Sequence, residues 1–153
     1  MSAIAAIIGR IMLAVIFILS GIGKIVDPAG TAEYIESATT LPGSLALPTG
    51  VFELVLGLML AVGLMTRITS ILLAGFTLLA AFFFHNELGD QAQLTAALKN
   101  LAMAGGLLLV FAYGQMRGSF DYMRERNRTR KAELRAAHAE GKAEGLATHT
   151  TAD

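Results

Sequence analysis

Four long apolar stretches occupy most of this chain, and they decide what it can fold into. Residues 68–84 and 100–116 contain no charged side chain at all. A helix that crosses a bilayer takes about 17–25 mainly apolar residues. We place the spans at about residues 3–26, 48–66, 68–86 and 93–114. Backbone polar groups in lipid must be satisfied internally, which leaves helices or closed barrels. Barrel strands alternate apolar and polar residues, and these runs do not. The expected fold is therefore all-α, a transmembrane antiparallel four-helix bundle. With 54% hydrophobic and only 16% charged residues, the chain is far more apolar than a soluble domain requires.

The basic residues orient the bundle. With the N-terminus in the cytoplasm, four spans return the C-terminus to the same side. That side then receives Arg10, Arg67, Arg117, Arg124, Arg126, Arg128, Arg130, Lys131, Arg135 and Lys142. The outer side receives only Lys24 and Lys99, with Asp27, Glu33, Glu36, Glu87 and Asp90 in its loops. Lys and Arg favour the cytoplasmic side, so both termini are expected there, in a bacterial inner membrane. Arg10 precedes the apolar run 11–19, but Lys24 follows the small residues and no A-x-A cleavage site is present. The first span is thus expected to be a retained helix and not a signal peptide.

The loops are short and informative. Asp27-Pro28 opens the first outer loop, and Pro42 and Pro48 punctuate its end. Between them, residues 29–37 suggest a short interfacial helix with Tyr34 and Ile35 as its apolar contacts. The connection at Arg67 is nearly absent, which predicts a tight antiparallel hairpin of spans two and three. We expect one membrane domain over 1–121 and a charged cytoplasmic tail over 122–153. The tail reads as a solvated helix that weakens at Gly141 and Gly145 and ends disordered. Its cluster from Arg124 to Lys131 suits anionic headgroups beside a span, so nucleic acid is not an expected partner. The bilayer is, together with other subunits or further copies of the chain.

One ionisable residue in each span reaches a similar outer depth: Lys24, Glu53, His85 and Lys99. A charge at a helix centre costs about 2.5–3.5 kcal/mol on insertion scales. Lys24 alone is equally well explained by snorkelling to the headgroups, and His85 by an interfacial helix end. Glu53 is too short to snorkel as far. It shares a face with Gly57 and Ala61, while Lys99 lies roughly in line with Ala102 and Gly106. Small residues let membrane helices approach closely, so Glu53 and Lys99 are expected to point inward. The expected arrangement is a partly buried ion pair of Glu53 with Lys24 or Lys99, with His85 beside it.

Other chemistries fail on their own terms. The chain has no cysteine, which removes disulfides, CxxC redox chemistry and thiolate metal sites. Gly21-Ile22-Gly23-Lys24 lacks the Ser or Thr of a phosphate loop, since Ile25 follows, and Ile18 stands where the first glycine belongs. His138 and His149 lie in the tail, so no membrane bis-histidine haem site forms. Glu53 with His85 is too sparse for a metal site.

Taken in order, these elements resemble the DoxX family of small four-helix membrane proteins. The resemblance rests on Gly9-Arg10, Phe17, Ser20-Gly21 and Lys24 in span one, and on Glu53 with Gly57 in span two. It continues with the aromatic-His85 step, Lys99-Asn100, Gly105-Gly106 and Ser119-Phe120-Asp121, over about residues 5–121. It implies an inner-membrane protein associated with oxidoreductase chemistry, through a related subunit of a thiosulfate–quinone oxidoreductase. On that basis Glu53, His85 and Lys99 are candidate catalytic residues. Lys24 and Asn100 would join them around a quinone, with no metal, and electrons would come from a partner. The alternative is a non-catalytic scaffold or assembly subunit.

Overall fold

The computed structural model describes residues 2–84, 89–113 and 120–150. Its elements are α1 (Ser2–Val26), α2 (Pro28–Ala38), a 3₁₀ turn (Gly43–Leu45), α3 (Ala46–Val62), α4 (Thr66–Phe84), α5 (Gln91–Ala112) and α6 (Phe120–Thr150). No strand occurs among the described residues. Four of these segments, Ile4–Val26, Gly43–Val62, Thr66–Phe84 and Gln91–Ala112, are long and apolar enough to cross a membrane. The fold is all-α, as expected.

Local chemistry sets the ends. Asp27 caps α2, its Oδ1 accepting the Gly30 N–H at 2.9 Å, with Pro28 in the first turn, where a missing N–H costs nothing. Asp90 caps α5 by accepting from the backbone of Ala92 at 2.7 Å and Gln93 at 3.0 Å. That cap starts the helix at Gln91, slightly before the expected boundary. Span two closes at Val62 and not at residue 66. Gly63 adopts φ 75°, its N–H reaches Leu60 O at 3.2 Å, and Leu64 N–H reaches Met59 O at 2.9 Å. This is a glycine-dependent helix stop. A side chain in the left-handed region costs roughly 1–2 kcal/mol. Gly63→Ala is therefore expected to lower the thermal midpoint in detergent, and an unchanged melt would contradict this account of the stop.

α1 packs antiparallel along α3, and α4 along α5. The hairpin expected of spans two and three is thus corrected: α3 and α4 touch only sparsely. A short connection forces proximity at one end, but close approach along a helix needs small residues, and those of α3 face α1. The buried face of α3 runs Ala46, Gly50, Glu53, Gly57 and Leu60. A Cβ on Gly57 would lie 3.0 Å from Ile18 Cγ1 and 3.1 Å from its backbone nitrogen. One on Gly50 would lie 2.8 Å from Lys24 Cβ, and one on Gly21 2.6 Å from the Leu54 backbone nitrogen. The two backbones are in near contact.

The apolar core gathers at one end of the bundle, from Ala14, Phe17, Leu60, Leu73, Ala74, Leu107 and Val110. α4 turns hydroxyls inward beside it. Ser70 donates to Thr66 O and Thr77 to Leu73 O, each at 2.7 Å. Such back-bonding satisfies polar groups where no water reaches. Outward lie large apolar side chains, among them Ile8, Met12, Leu19, Val55, Leu58, Leu79, Leu101 and Leu109. In water such a surface would aggregate; in a bilayer it is the solvated face.

α6 continues through Gly141 and Gly145 to Thr150, past the point where the sequence suggests weakening. From Met123 to Glu140 its side chains are exposed throughout.

Candidate functional site

The site begins at the glycine contact between α1 and α3. Because Gly21 and Gly50 bring these backbones together, Lys24 near the end of α1 meets Glu53 in the second turn of α3. Lys24 Nζ lies 2.7 Å from Glu53 Oε2 and donates to Ser20 Oγ at 2.6 Å. The Glu53 side chain is 5% exposed and that of Lys24 25%. A carboxylate so buried needs a partner, since an unpaired one would cost several kcal/mol, on the order of its desolvation. Lys24 supplies it. Of the two partners the sequence leaves open for Glu53, the structure selects Lys24.

Above this pair lies a cavity of about 540 Å³, within the ordinary range for small-molecule sites. Its floor carries Ser20, Lys24 and Glu53, and its walls are mainly apolar, including Phe17, Phe76, Phe83 and Met103. α2 and the segment after it border the cavity through Thr31, Tyr34, Ile35, Leu41 and Leu45. Ile35 is buried. Tyr34, 55% exposed, stacks on Phe84 with ring centroids 5.5 Å apart and planes 12° apart. The short helix expected in the first loop is present, and both of its named apolar residues also line the cavity.

The remaining candidates separate. Asn100 is half-buried and lines the cavity. Lys99 is exposed and does not line it. The inward placement expected of Lys99 is therefore corrected, as is its alignment with a packed face, since Ala102 is exposed as well. α5 buries Ala104, Leu107 and Val110 instead. Adjacent residues on a helix project about 100° apart, so when Asn100 faces the cavity, Lys99 cannot. Its long stem suits the headgroup boundary. His85 lies outside the described residues.

One buried charge escaped the sequence reading, which used Arg10 to orient the first span and to mark the family resemblance but not as a buried group. Arg10 is 4% exposed, and its Nη2 donates to Ala61 O, at the end of α3, over 3.4 Å. A cation near a helix C-terminus is favoured by the helix dipole. The available signal was position: Arg10 lies well inside the helical run, seven residues before Phe17. Arg10→Leu is expected to destabilise the protein by ~1 kcal/mol or more, whereas the same change at exposed Arg67 should be nearly silent; equal melts for the two variants would refute this.

Fold and site together define a polytopic membrane protein, a small helix bundle with a buried ion pair beneath a mainly apolar cavity. The chain belongs to the DoxX family, whose family model matches residues 5–86. It is similar to Inner membrane protein YqjF of Escherichia coli (strain K12), with 36% identity over 118 residues, 77% of this chain and 90% of that protein. No solved structure matches it. This is a DoxX-family protein of the inner membrane.

Proposed function

We propose that the protein is a subunit of, or accessory to, a quinone-linked membrane oxidoreductase, and that the cavity receives a quinone-type ring. The observation that carries this reading is the cavity itself. A sealed, fully packed bundle would leave no room for a ring, whereas here about 540 Å³ lies over a floor of paired charges. The apolar walls suit the ring and its substituents. Lys24 and Asn100 supply donors to ring oxygens, and Glu53 supplies a carboxylate that can hold a proton. The bound ring would supply electron-carrying capacity, and a partner protein would deliver or remove the electrons. The direct test is mass spectrometry of what co-purifies in gentle detergent. A quinone with a stoichiometric redox partner supports the proposal; lipid alone, with no partner, rejects it.

A scaffold role is the second reading, favoured by the 31-residue helix α6, whose side chains are exposed from Met123 to Glu140. It is supported if a stoichiometric partner still assembles with the Glu53→Ala and His85→Ala variants, and rejected if those changes release it.

We place both termini in the cytoplasm, which puts the cavity at the outer face. The distribution of Lys and Arg supports this. Because the chain lacks cysteine, single substitutions report cleanly. Ser37→Cys on α2 is expected to react with an impermeant thiol reagent in intact cells, and Ala137→Cys on α6 only after lysis. The reverse pattern would invert the topology.

A further inference from the structure

The Glu53 carboxylate uses its two oxygens unequally. Oε2 accepts from Lys24, while Oε1 accepts from no described group. Yet the side chain is more than nine-tenths buried and lines the cavity. Lys24 carries three N–H donors. One is spent on Glu53 and one on Ser20, which leaves the third. The Asn100 amide lines the same space and bonds no other described residue. The floor therefore offers a charged acceptor beside a charged donor, with an amide that can act as either.

A ring carbonyl is an acceptor only. Set against Glu53 Oε1, it faces lone pairs with lone pairs, and that oxygen gains no hydrogen bond from the ring. A ring hydroxyl behaves differently, since it donates to Oε1 while its own oxygen accepts from Lys24 or Asn100. Sites whose buried polar groups are matched only by a hydroxyl discriminate strongly against analogues that lack it. Hydrogen bonds to charged groups are also the stronger kind. We propose that the cavity selects the hydroxyl-bearing form of a quinone-type ring, a quinol or simple phenol, over the oxidised dicarbonyl form. This rests on the quinone-linked reading above and names the form that the site holds. Phe17 and Phe76 supply the apolar surroundings that both forms share, so the preference comes from the floor.

The test is anaerobic calorimetric titration of the full-length protein in detergent. The ligands are a short-chain benzoquinone, its dithionite-reduced quinol, and the dimethyl ether of that quinol. The ether keeps the ring and both oxygens but donates nothing. We expect the quinol to bind at least about tenfold more tightly than either of the others. Glu53→Gln, which replaces the carboxylate by an amide that can also donate, is expected to reduce the preference to about threefold or less. Asn100→Leu is expected to weaken the quinol and leave the helical melt unchanged. Quinone binding as tight as quinol overturns the selection while leaving the quinone-linked reading intact. Ether binding as tight as quinol overturns it too, without reliance on any variant. No binding by any of the three ligands overturns both.

Discussion

Gly50→Leu is expected to destabilise the membrane domain strongly. A Cβ alone at this position would lie 2.8 Å from Lys24 Cβ and 3.2 Å from the Gly21 carbonyl oxygen. Neither is the loose end of a flexible side chain, so α1 and α3 must separate. Overpacking a tight contact costs about 1–3 kcal/mol and occasionally more. Leucine, adding four carbons against backbone, belongs at or above the top of that range. Gly50→Ala should already cost something within it. Gly23→Ala and Gly75→Ala are the controls, because a Cβ at either glycine meets nothing within 4 Å. Thermal melts followed by circular dichroism should rank Gly50→Leu lowest, Gly50→Ala next, and the two controls near wild type. A Gly50→Leu protein that melts like the controls would mean that the close α1–α3 approach is not what holds the Lys24 end of the bundle together.

The second large effect concerns the ion pair, and it should be asymmetric. Removing one partner of a buried pair costs about 3–5 kcal/mol, because the other charge is left without compensation. Lys24→Met strands Glu53, whose side chain is 5% exposed and too short to extend toward the headgroups. The full cost is expected. Glu53→Leu leaves Lys24, which is 25% exposed on a long stem and can extend toward the headgroups. Its cost should be smaller, roughly half. The double variant Lys24→Met/Glu53→Leu should recover most of the stability, since well-packed apolar replacements for a buried pair are often neutral or better. A double-mutant cycle measures the coupling directly. If the single losses simply add, the two charges are not interacting as their 2.7 Å separation requires.

Much of the architecture was legible because lipid imposes simple rules. Span positions follow from apolar length, and α2 from the Asp27-Pro28 cap and the prolines that end its loop. Glu53 was legible as inward-facing because Gly57 and Ala61 mark its face. Gly50, the decisive contact, repeats the same small-residue signal one turn earlier. The misplacement of Lys99 has a physical cause. α5 carries small residues on several sides, at Ala96, Ala97, Ala102, Gly105 and Gly106, so no single stripe marks its inner face. A polar pair of neighbours, Lys99-Asn100, then offers two choices about 100° apart. The pairing of α3 with α1 was hidden for a related reason. Loop length constrains only where helices start and stop, whereas lateral partners are chosen by surface relief. The cavity itself could not be read from composition, since empty space is a property of how side chains fail to meet.

The glycine seam between α1 and α3 also bears on the order in which the protein is made. Lys24 leaves the ribosome 29 residues ahead of Glu53. While only the first helix exists, its ammonium has no carboxylate to neutralise it and must stay near the membrane surface. Once α3 is synthesised, its bare backbone at Gly50 and Gly57 can slide against α1, and the charge can settle to its final depth. The first helix is therefore expected to reach its final depth only with α3, as one half of a two-helix unit contained in the first half of the chain.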